Sequence, residues 1–410
     1  MRRVLIIGGG QSGLQLALSL LAHGYDVTVM TVHDPDELHE GRAVSPQILF
    51  SERRRGEREY GLNLWDDDAR PITGMRVSSS GEMPSFDWVG RLDAPAYSVD
   101  ERVKMSAWLD LFEYKGGKVV IHGATSSDLD HLSRMFDLTI VAAGHSGLAE
   151  MFPVDTTRAL ARMAPVVTAS AIVEEVADDP DPEMVGAELV PGLGHLVSLP
   201  TYSVNGPARL LYLTGAADAA LADWPRRITP REHLDRMLRL MREYLPHRYE
   251  TYRDAVLADD QAVTLDRANP LVREPMVRMP SGGIVMGMGD TTVVTSPAVL
   301  QDANNASKAA EIYLHEILEQ GESPFDEEFV TRTFERYMAH ARHFAGEIAR
   351  LLHYTPPYAL ELCVACDRDQ ALADRVVNGF DDPLDLATWF TDEETTRAMI
   401  NGELPARRSG

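Results

Sequence analysis

The sequence predicts an α/β protein: a Rossmann-like dinucleotide-binding domain, an inserted mixed or antiparallel β-sheet, and a helical C-terminal region. Three observations predict it. The apolar run Val4-Leu5-Ile6-Ile7 enters Gly8-Gly9-Gly10-Gln11-Ser12-Gly13, and a helix and a second strand follow. Near Thr156 the texture changes to short apolar runs punctuated by Gly and Pro. From Phe325 onward the pattern is almost wholly helical.

Taken in order, residues 4–7 read as a buried strand, and Leu14–Leu21 as a helix with a broad apolar face ended by Gly24. Asp26–Thr31 is a second strand, which makes a βαβ unit with a right-handed crossover. Lys104–Tyr114 is helical and closed by Gly116-Gly117, Lys118–Ile121 is a strand, and Leu138–Ala143 is another that ends at Gly144. Val166–Val173, His195–Leu199 and Arg209–Leu213 read as strands of the inserted sheet, with Glu174–Glu183 an acidic surface loop. Arg231–Tyr244 is a helix, Gly283–Asp290 returns to strand and turn, and Asn304–Leu318 is helical. In the tail, Phe329, Phe334, Tyr337 and Phe344 form an aromatic face that reads as core. The expected division is 1–155 plus 265–325 for dinucleotide binding, 156–264 for the inserted substrate domain, and 326–410 for the helical region.

Bulk properties narrow the function. The 410 residues suffice for a sizeable core, and 44% apolar content is ordinary for a globular chain. A net charge of −24, with Arg53-Arg54-Arg55 the one basic block, argues against nucleic acid or an anionic membrane as partner. No uncharged apolar run reaches the length of a membrane span. The basic-then-apolar start resembles a signal peptide but runs straight into a glycine turn, so it reads as a strand. Cys363 and Cys366 are the two cysteines; they fall in a stretch, Tyr358–Ala373, that reads as one helix, where small buried residues are expected rather than a redox pair. Such cysteine usage fits a reducing cytoplasm. His145, His195 and His353 are scattered without metal-ligand spacing and read as structural.

Gly8-x-Gly10-x-x-Gly13 carries the strongest chemistry. The first glycine permits a tight turn, the second lets backbone approach a pyrophosphate, and the third lets helix and strand pack closely. The helix N-terminus, with Gln11 and Ser12, offers oriented N–H donors to an anion. The position after a strand and before a helix is the context that such a motif requires. A ribose-binding acid is expected at the end of the second strand. Thr31-Val32-His33 stands there instead, so either Thr31 with neighbouring backbone or Asp34 reaches the ribose.

A second motif, Gly287-Met288-Gly289-Asp290, is followed by Thr295-Ser296-Pro297 and Asn304-Asn305-Ala306. With the N-terminal glycines it resembles the FAD-binding fold of flavin aromatic hydroxylases. Within that fold the chain is similar to the epoxidase subunit of two-component styrene and indole monooxygenases. The segments that carry the resemblance are Asp26-Val27-Thr28-Val29 with Pro35-Asp36-Glu37, Ala94-Pro95, and Val99-Asp100-x-Arg102. Gly116-Gly117-Lys118, Gly144, Leu199-Pro200-Thr201 with Asn205-Gly206, and Gly289-Asp290…Pro297…Ala303-Asn304 extend it to about residue 320.

The resemblance implies that Asp290 binds ribityl hydroxyls or a phosphate-bound water, and that the Pro297 loop and the following helix N-terminus lie against the flavin ring. Arg102 would contact the FAD phosphates and Arg42 would lie near the cofactor, with Ala124, Gly144 and Asn304 also in its surroundings. Ser45 and Pro46 would flank flavin and substrate, and Tyr202 and Tyr212 are pocket-wall candidates or ordinary sheet aromatics. Departures from the family are Leu300 and Asp302, where it carries glycines, and Ser45-Pro46, where it carries an asparagine–threonine pair. One-component hydroxylases carry an Asp-Gly motif in the strand near residue 140; here it reads Ala142-Ala143-Gly144-His145. The expected activity is therefore a flavin monooxygenase that takes FADH2 from a separate NAD(P)H:flavin oxidoreductase. It would use O2 to epoxidise or hydroxylate a small apolar aromatic such as styrene or indole, through a flavin C4a-(hydro)peroxide. A homodimer is a candidate assembly. The alternatives are a non-catalytic FAD carrier and a one-component NAD(P)H-dependent hydroxylase.

Overall fold

The computed structural model describes residues 1–45, 47–144, 147–158, 165–176, 179–217, 219–225, 227–296 and 300–404. In chain order the strands are Arg3–Ile7 (β1), Asp26–Thr31 (β2), Ile72–Ser79 (β3), Asp87–Ala96 (β4), Lys118–Ile121 (β5), Leu138–Val141 (β6) and Val166–Glu174 (β7). They continue with Met184–Val190 (β8), Gly194–Ser203 (β9), Gly206–Ala216 (β10), Val263–Ala268 (β11), Leu271–Val272 (β12), Met276–Arg278 (β13), Ile284–Gly287 (β14) and Val293–Val294 (β15). The helices are Gln11–Ala22 (α1), Pro35–Glu40 (α2), Ser51–Glu59 (α3), Glu101–Tyr114 (α4), Ser126–Leu132 (α5), Pro230–Tyr244 (α6) and Pro246–Tyr252 (α7). After them come Asp302–Gln320 (α8), Glu327–Arg342 (α9), Ile348–Tyr354 (α10), Pro357–Cys366 (α11), Gln370–Asn378 (α12), Pro383–Ala387 (α13) and Glu393–Ile400 (α14).

The first sheet has the order β13-β14-β6-β1-β2-β5. Its inner strands pair parallel, and β13 alone runs antiparallel, against β14. Alternation along β1 sends Val4 and Ile6 to a core shared with α1, α4, α8 and α9, and Leu5 and Ile7 to the opposite face. Helix α1 is buried at every residue from Gln11 to Leu20, as a helix pressed between a sheet and other helices requires. The aromatic face of the tail belongs to this packing: Phe329, Phe334 and Tyr337 join the α1 core, while Phe344 joins the core under the second sheet.

The second sheet has the order β11-β7-β10-β9-β8-β3-β4. It is antiparallel except for the β3–β8 pair, which is the mixed sheet that the sequence predicts. Two of its strands, β3 and β4, precede the inserted region in the chain. One face packs on α6 and α7 through Leu211, Leu213, Leu234 and Met237. The other carries Met75, Trp88, Val197 and Tyr212 toward the C-terminal helices. Among the described residues no helix is long and apolar enough to cross a membrane.

The structure corrects one helix boundary. The single helix expected over Tyr358–Ala373 is two, α11 and α12, because the Asp369 carboxylate accepts the Leu372 N–H and starts a new helix. Cys366 is buried and Cys363 half-buried, and burial pushes the Cys363 thiol up to about 12. That fits small packing residues rather than reactive thiols.

Candidate functional site: a cofactor cleft and an apolar cavity

The loops after β1, β6 and β14 meet at the C-terminal edge of the first sheet, where open parallel sheets bind ligands. Gly8 has φ +127°, and a Cβ there would stand 2.1 Å from the Ala142 carbonyl oxygen. A Cβ on Gly13 would stand 2.4 Å from the Gly8 oxygen, so helix and strand touch at backbone level. Gly10 is different: the nearest atom to its Cβ position is Glu101 Oε1 at 3.8 Å, which leaves room on that side for a ligand. Gly10 is also the N-cap of α1 and supplies no side-chain acceptor, and no acidic residue stands in the first turn. The N–H groups of the first turn are therefore aimed at an open position, and the cradle fits a diphosphate.

Around this turn the predicted residues take distinct places. Gln11 turns into the core, where its Nε2 donates to Gln15 Oε1 (2.9 Å) and Glu57 Oε1 (3.2 Å). Ser12 Oγ lies 2.9 Å from the Cβ position of Gly289, which has φ +59°, so the two glycine motifs are in contact. Thr31 is buried at the end of β2 with Oγ1 3.0 Å from the Cβ position of Gly9. Asp34 is used locally: its Oδ1 accepts the Glu37 N–H (2.8 Å) in the capping box of α2. Of the two candidates for the ribose, Thr31 is the one facing the glycine turn. Gly144, φ +53°, lies against Asp290, and Ala124 sits half-buried on the loop after β5.

Carboxylates dominate the electrostatics. Asp290 sits in the turn Gly289–Thr291; burial, reinforced by the charges of Asp302, Glu101 and Asp266, pushes its carboxyl up to about 8. Glu101, the first residue of α4, accepts a hydrogen bond from Ser45 Oγ (3.1 Å) at Oε2, and burial raises its carboxyl above the ordinary range. Asp302 opens α8 and accepts a hydrogen bond from Thr295 Oγ1. Glu101 was missed by the sequence reading. In the sequence it is one more acidic residue between Asp100 and Arg102, with nothing to mark its burial.

Arg102 is buried and fully engaged. Its guanidinium donates to Asp100 Oδ2 (2.6 Å), to Asp259 through both terminal nitrogens (2.9 and 2.8 Å), and to the Gly41 carbonyl (3.3 Å). Arg42, next in the chain, is exposed. Asn304 clamps the backbone of a neighbouring segment: its Nδ2 donates to the Ile48 carbonyl (2.9 Å) and its Oδ1 accepts the Phe50 N–H (3.0 Å). Tyr202 is half-buried on β9, its carbonyl accepting the Asp100 N–H (2.8 Å). Tyr212 is fully buried on β10, and burial raises its hydroxyl well above the usual range. Pro46, His145 and Pro297 lie outside the described residues.

Three residues beyond Pro297, Leu300 has φ +52° and lines an apolar cavity of about 130 Å³. Met75, Val77 and Trp88 of the second sheet form one wall, and Leu351, Leu362 and Phe390 of the C-terminal helices the other. A cavity of this kind takes an apolar small molecule and keeps water from it. The sequence reading did not find it, because its walls come from strands and helices that lie far apart in the chain, as Trp88 and Leu351 do.

Residues 144–251 match the family model described as "Styrene monooxygenase A putative substrate binding domain". The chain is 27% identical to the styrene monooxygenase StyA of Pseudomonas fluorescens over 413 residues, covering 98% of this chain and 99% of that one. It is 27% identical to a styrene monooxygenase StyA of Pseudomonas sp., with 93% of each chain covered. Among solved structures, the flavin-dependent brominase Bmp2 superposes with a TM-score of 0.69 at 14% identity, covering 98% of each chain. A flavoprotein/dehydrogenase from Cytophaga hutchinsonii gives 0.67 at 13% identity, covering 98% of this chain and 100% of that one. These last two likenesses speak to the fold.

Proposed function

We propose that the chain, a FAD-dependent monooxygenase similar over nearly its whole length to styrene monooxygenases, is the oxygenase of a two-component system, supplied with FADH2 by a separate NAD(P)H:flavin oxidoreductase. Its substrate is an apolar aromatic alkene or indole-like compound. Reduced FAD, when bound, supplies two electrons to O2, so that one oxygen atom goes to the substrate and the other leaves as water. The chain supplies binding, orientation and exclusion of water.

The N-terminus of α1 holds the diphosphate, with Gly8, Gly10, Ser12 and Gly13 setting the close approach. Thr31 faces the adenosine side and Asp290 the ribityl side, the latter able to donate a hydrogen bond while it keeps its proton. Ser45, hydrogen-bonded to Glu101, borders the flavin ring. The substrate unit, placed by sequence at 156–264, works with β3 and β4 to wall the apolar cavity. The Ala142-Ala143-Gly144 strand end, which lacks the Asp-Gly pair of one-component hydroxylases, supports an external source of reduced flavin.

The observation that carries this reading is the pairing of a diphosphate cradle at Gly8–Gly13 with an apolar cavity reached at Leu300. The test is to mix the purified chain with photoreduced FAD, oxygenated buffer and styrene or indole, without NAD(P)H. Oxygenated product should form by gas chromatography, and the chain alone should not oxidise NADH above background. Absence of product with both substrates would reject the substrate class. Rapid NADH-driven reduction of its own FAD would reject the separate reductase.

A further inference from the structure

We propose that Glu101 is a cofactor-binding residue that acts as a carboxylic acid rather than a carboxylate, so that FAD enters its cleft together with one proton from solvent. The proposal rests on the cofactor role of the glycine turn described above. The position of Glu101, the charge of the ligand and the engagement of the nearby cations carry it.

Glu101 Oε1 is the nearest atom to the Cβ position of Gly10, at 3.8 Å, and Gly10 is the N-cap of α1. Oε2 accepts the Ser45 hydroxyl (3.1 Å), so Oε1 is the oxygen turned to the glycine turn. A diphosphate on the first-turn N–H groups of α1 therefore lies beside this carboxyl. The diphosphate of FAD brings two negative charges, and a like charge within about 4–6 Å disfavours the ionised form of a carboxyl. One proton on Glu101 removes that repulsion and turns a carboxyl oxygen from an acceptor into an O–H donor, which a phosphate or ribityl oxygen can accept.

Among the described residues, the neighbouring cations are engaged elsewhere. On the same helix, Lys104 is paired with Glu57 of α3 and lies 4.7 Å from the centre of the Trp108 ring. Arg102 is shared by Asp100 and Asp259, and Arg54 of α3 is paired with Asp66. On the loop that brings Ser45 and Gln47 to Glu101, Arg42 is exposed. The first turn of α1, Gln11 to Leu14, has no titratable group. The other titratable groups bearing on the carboxyl are acids. They are Asp100 beside it and Asp290 of the Gly289–Thr291 turn, and Asp302 of α8 and Asp266 of β11 add their charges at Asp290. Burial raises Glu101 above the ordinary carboxyl range, and hydrogen bonds from Ser45 and Gln47 with the charge of Lys104 offset only part of that. An arriving diphosphate pushes in the same direction as burial.

The test counts protons. Oxidised FAD is titrated into FAD-free protein by calorimetry, in buffers of different ionisation enthalpy, from pH 6 to pH 9. Oxidised FAD neither gains nor loses a proton in that window, so any uptake belongs to the protein. Uptake should exceed half a proton per FAD at its maximum, and Kd should weaken with rising pH by up to tenfold per unit. Glu101→Gln keeps the shape and a donor without the titration. It should lose most of the uptake and bind FAD at least fivefold tighter than wild type at pH 9. Asp290→Asn, which removes the second raised acid, should keep more than half of the uptake. Should Glu101→Gln not fold, Ser45→Ala replaces it: that variant loses a hydrogen bond that favours the carboxylate, so uptake at pH 8 should fall. No uptake in wild type, uptake unchanged in Glu101→Gln or Ser45→Ala, or its loss in Asp290→Asn alone would overturn the proposal while FAD binding left the flavoprotein reading intact. Failure of FAD to bind at any pH would instead count against the cofactor cleft itself.

Discussion

Two residues at the cofactor cleft have consequences that can be separated by measurement. Asp290 carries a carboxyl raised to about 8, first by burial and then by the charges of Asp302, Glu101 and Asp266. In the unfolded chain the same group releases its proton near 4. Below pH 4 both states are protonated and the full benefit of the folded site is present. Between 4 and 8 the folded state holds a proton that the unfolded state has lost, so stability falls as pH rises through that window. The melting temperature of FAD-free protein should therefore decline from pH 5 to pH 8, and Asp290→Asn should flatten the decline; an identical slope in the variant would refute the assignment. Arg102 is the opposite case, a buried cation shared by Asp100 and Asp259. Lysine keeps the charge but cannot make the paired contacts. Arg102→Lys should cost about 1–3 kcal/mol, seen as a lower melting temperature, with FAD affinity changed less than threefold. A tenfold loss of FAD affinity at unchanged stability would place Arg102 on the phosphates, as the family resemblance implies.

At the scale of elements, the apolar cavity depends on how closely α12 approaches the edge strand β4. A Cβ on Gly90 would stand 2.4 Å from Val377 Cγ2 and 2.5 Å from the Ala373 carbonyl oxygen. The contact is sealed by Asn378, whose Nδ2 donates to the Arg91 carbonyl (2.9 Å) and whose Oδ1 accepts the Asp93 N–H (2.9 Å). That side-chain amide satisfies backbone groups that an edge strand would otherwise leave open. Gly90→Ala must push α12 outward, and overpacking of this kind costs about 1–3 kcal/mol. The expected result is faster proteolysis within residues 357–400 and weaker binding of apolar ligands, with the FAD titration unchanged. Equal protease resistance in wild type and variant would show that the helix docks without this contact.

Across the whole molecule, local sequence signals made one half legible and left the other dark. The βαβ unit was readable because a strand, a glycine turn and a helix occupy Arg3–Ala22 without interruption, and Ser12 and Gly289 then meet as the paired motifs imply. Leu300 and Asp302 stood out as replaced glycines, and Leu300 indeed keeps a left-handed φ. Glu101 and the apolar cavity were not readable, since burial of a carboxylate and the facing of β3, β4 and β8 by α10–α12 arise only from long-range packing. The two regions adjoin at the start of α8: Leu300 belongs to the cavity, Asp302 bears on Asp290, and Asn304 ties down Ile48 and Phe50. Ile48 and Phe50 themselves line the cavity, so this short stretch is shared structure rather than a boundary. Ligands that each order a common segment lower the ordering cost for one another. Hydrogen exchange should then slow at 8–22 and 300–305 on adding FAD, and at 351–378 and again 300–305 on adding an apolar aromatic. FAD affinity should rise in the presence of that aromatic by the same factor by which FAD raises the aromatic's affinity. Helices α6 and α7 pack on the opposite face of the second sheet and should keep their exchange rates throughout. Slowing at α6 and α7 with no change at 300–305 would mean that the coupling runs through the sheet and not through the start of α8.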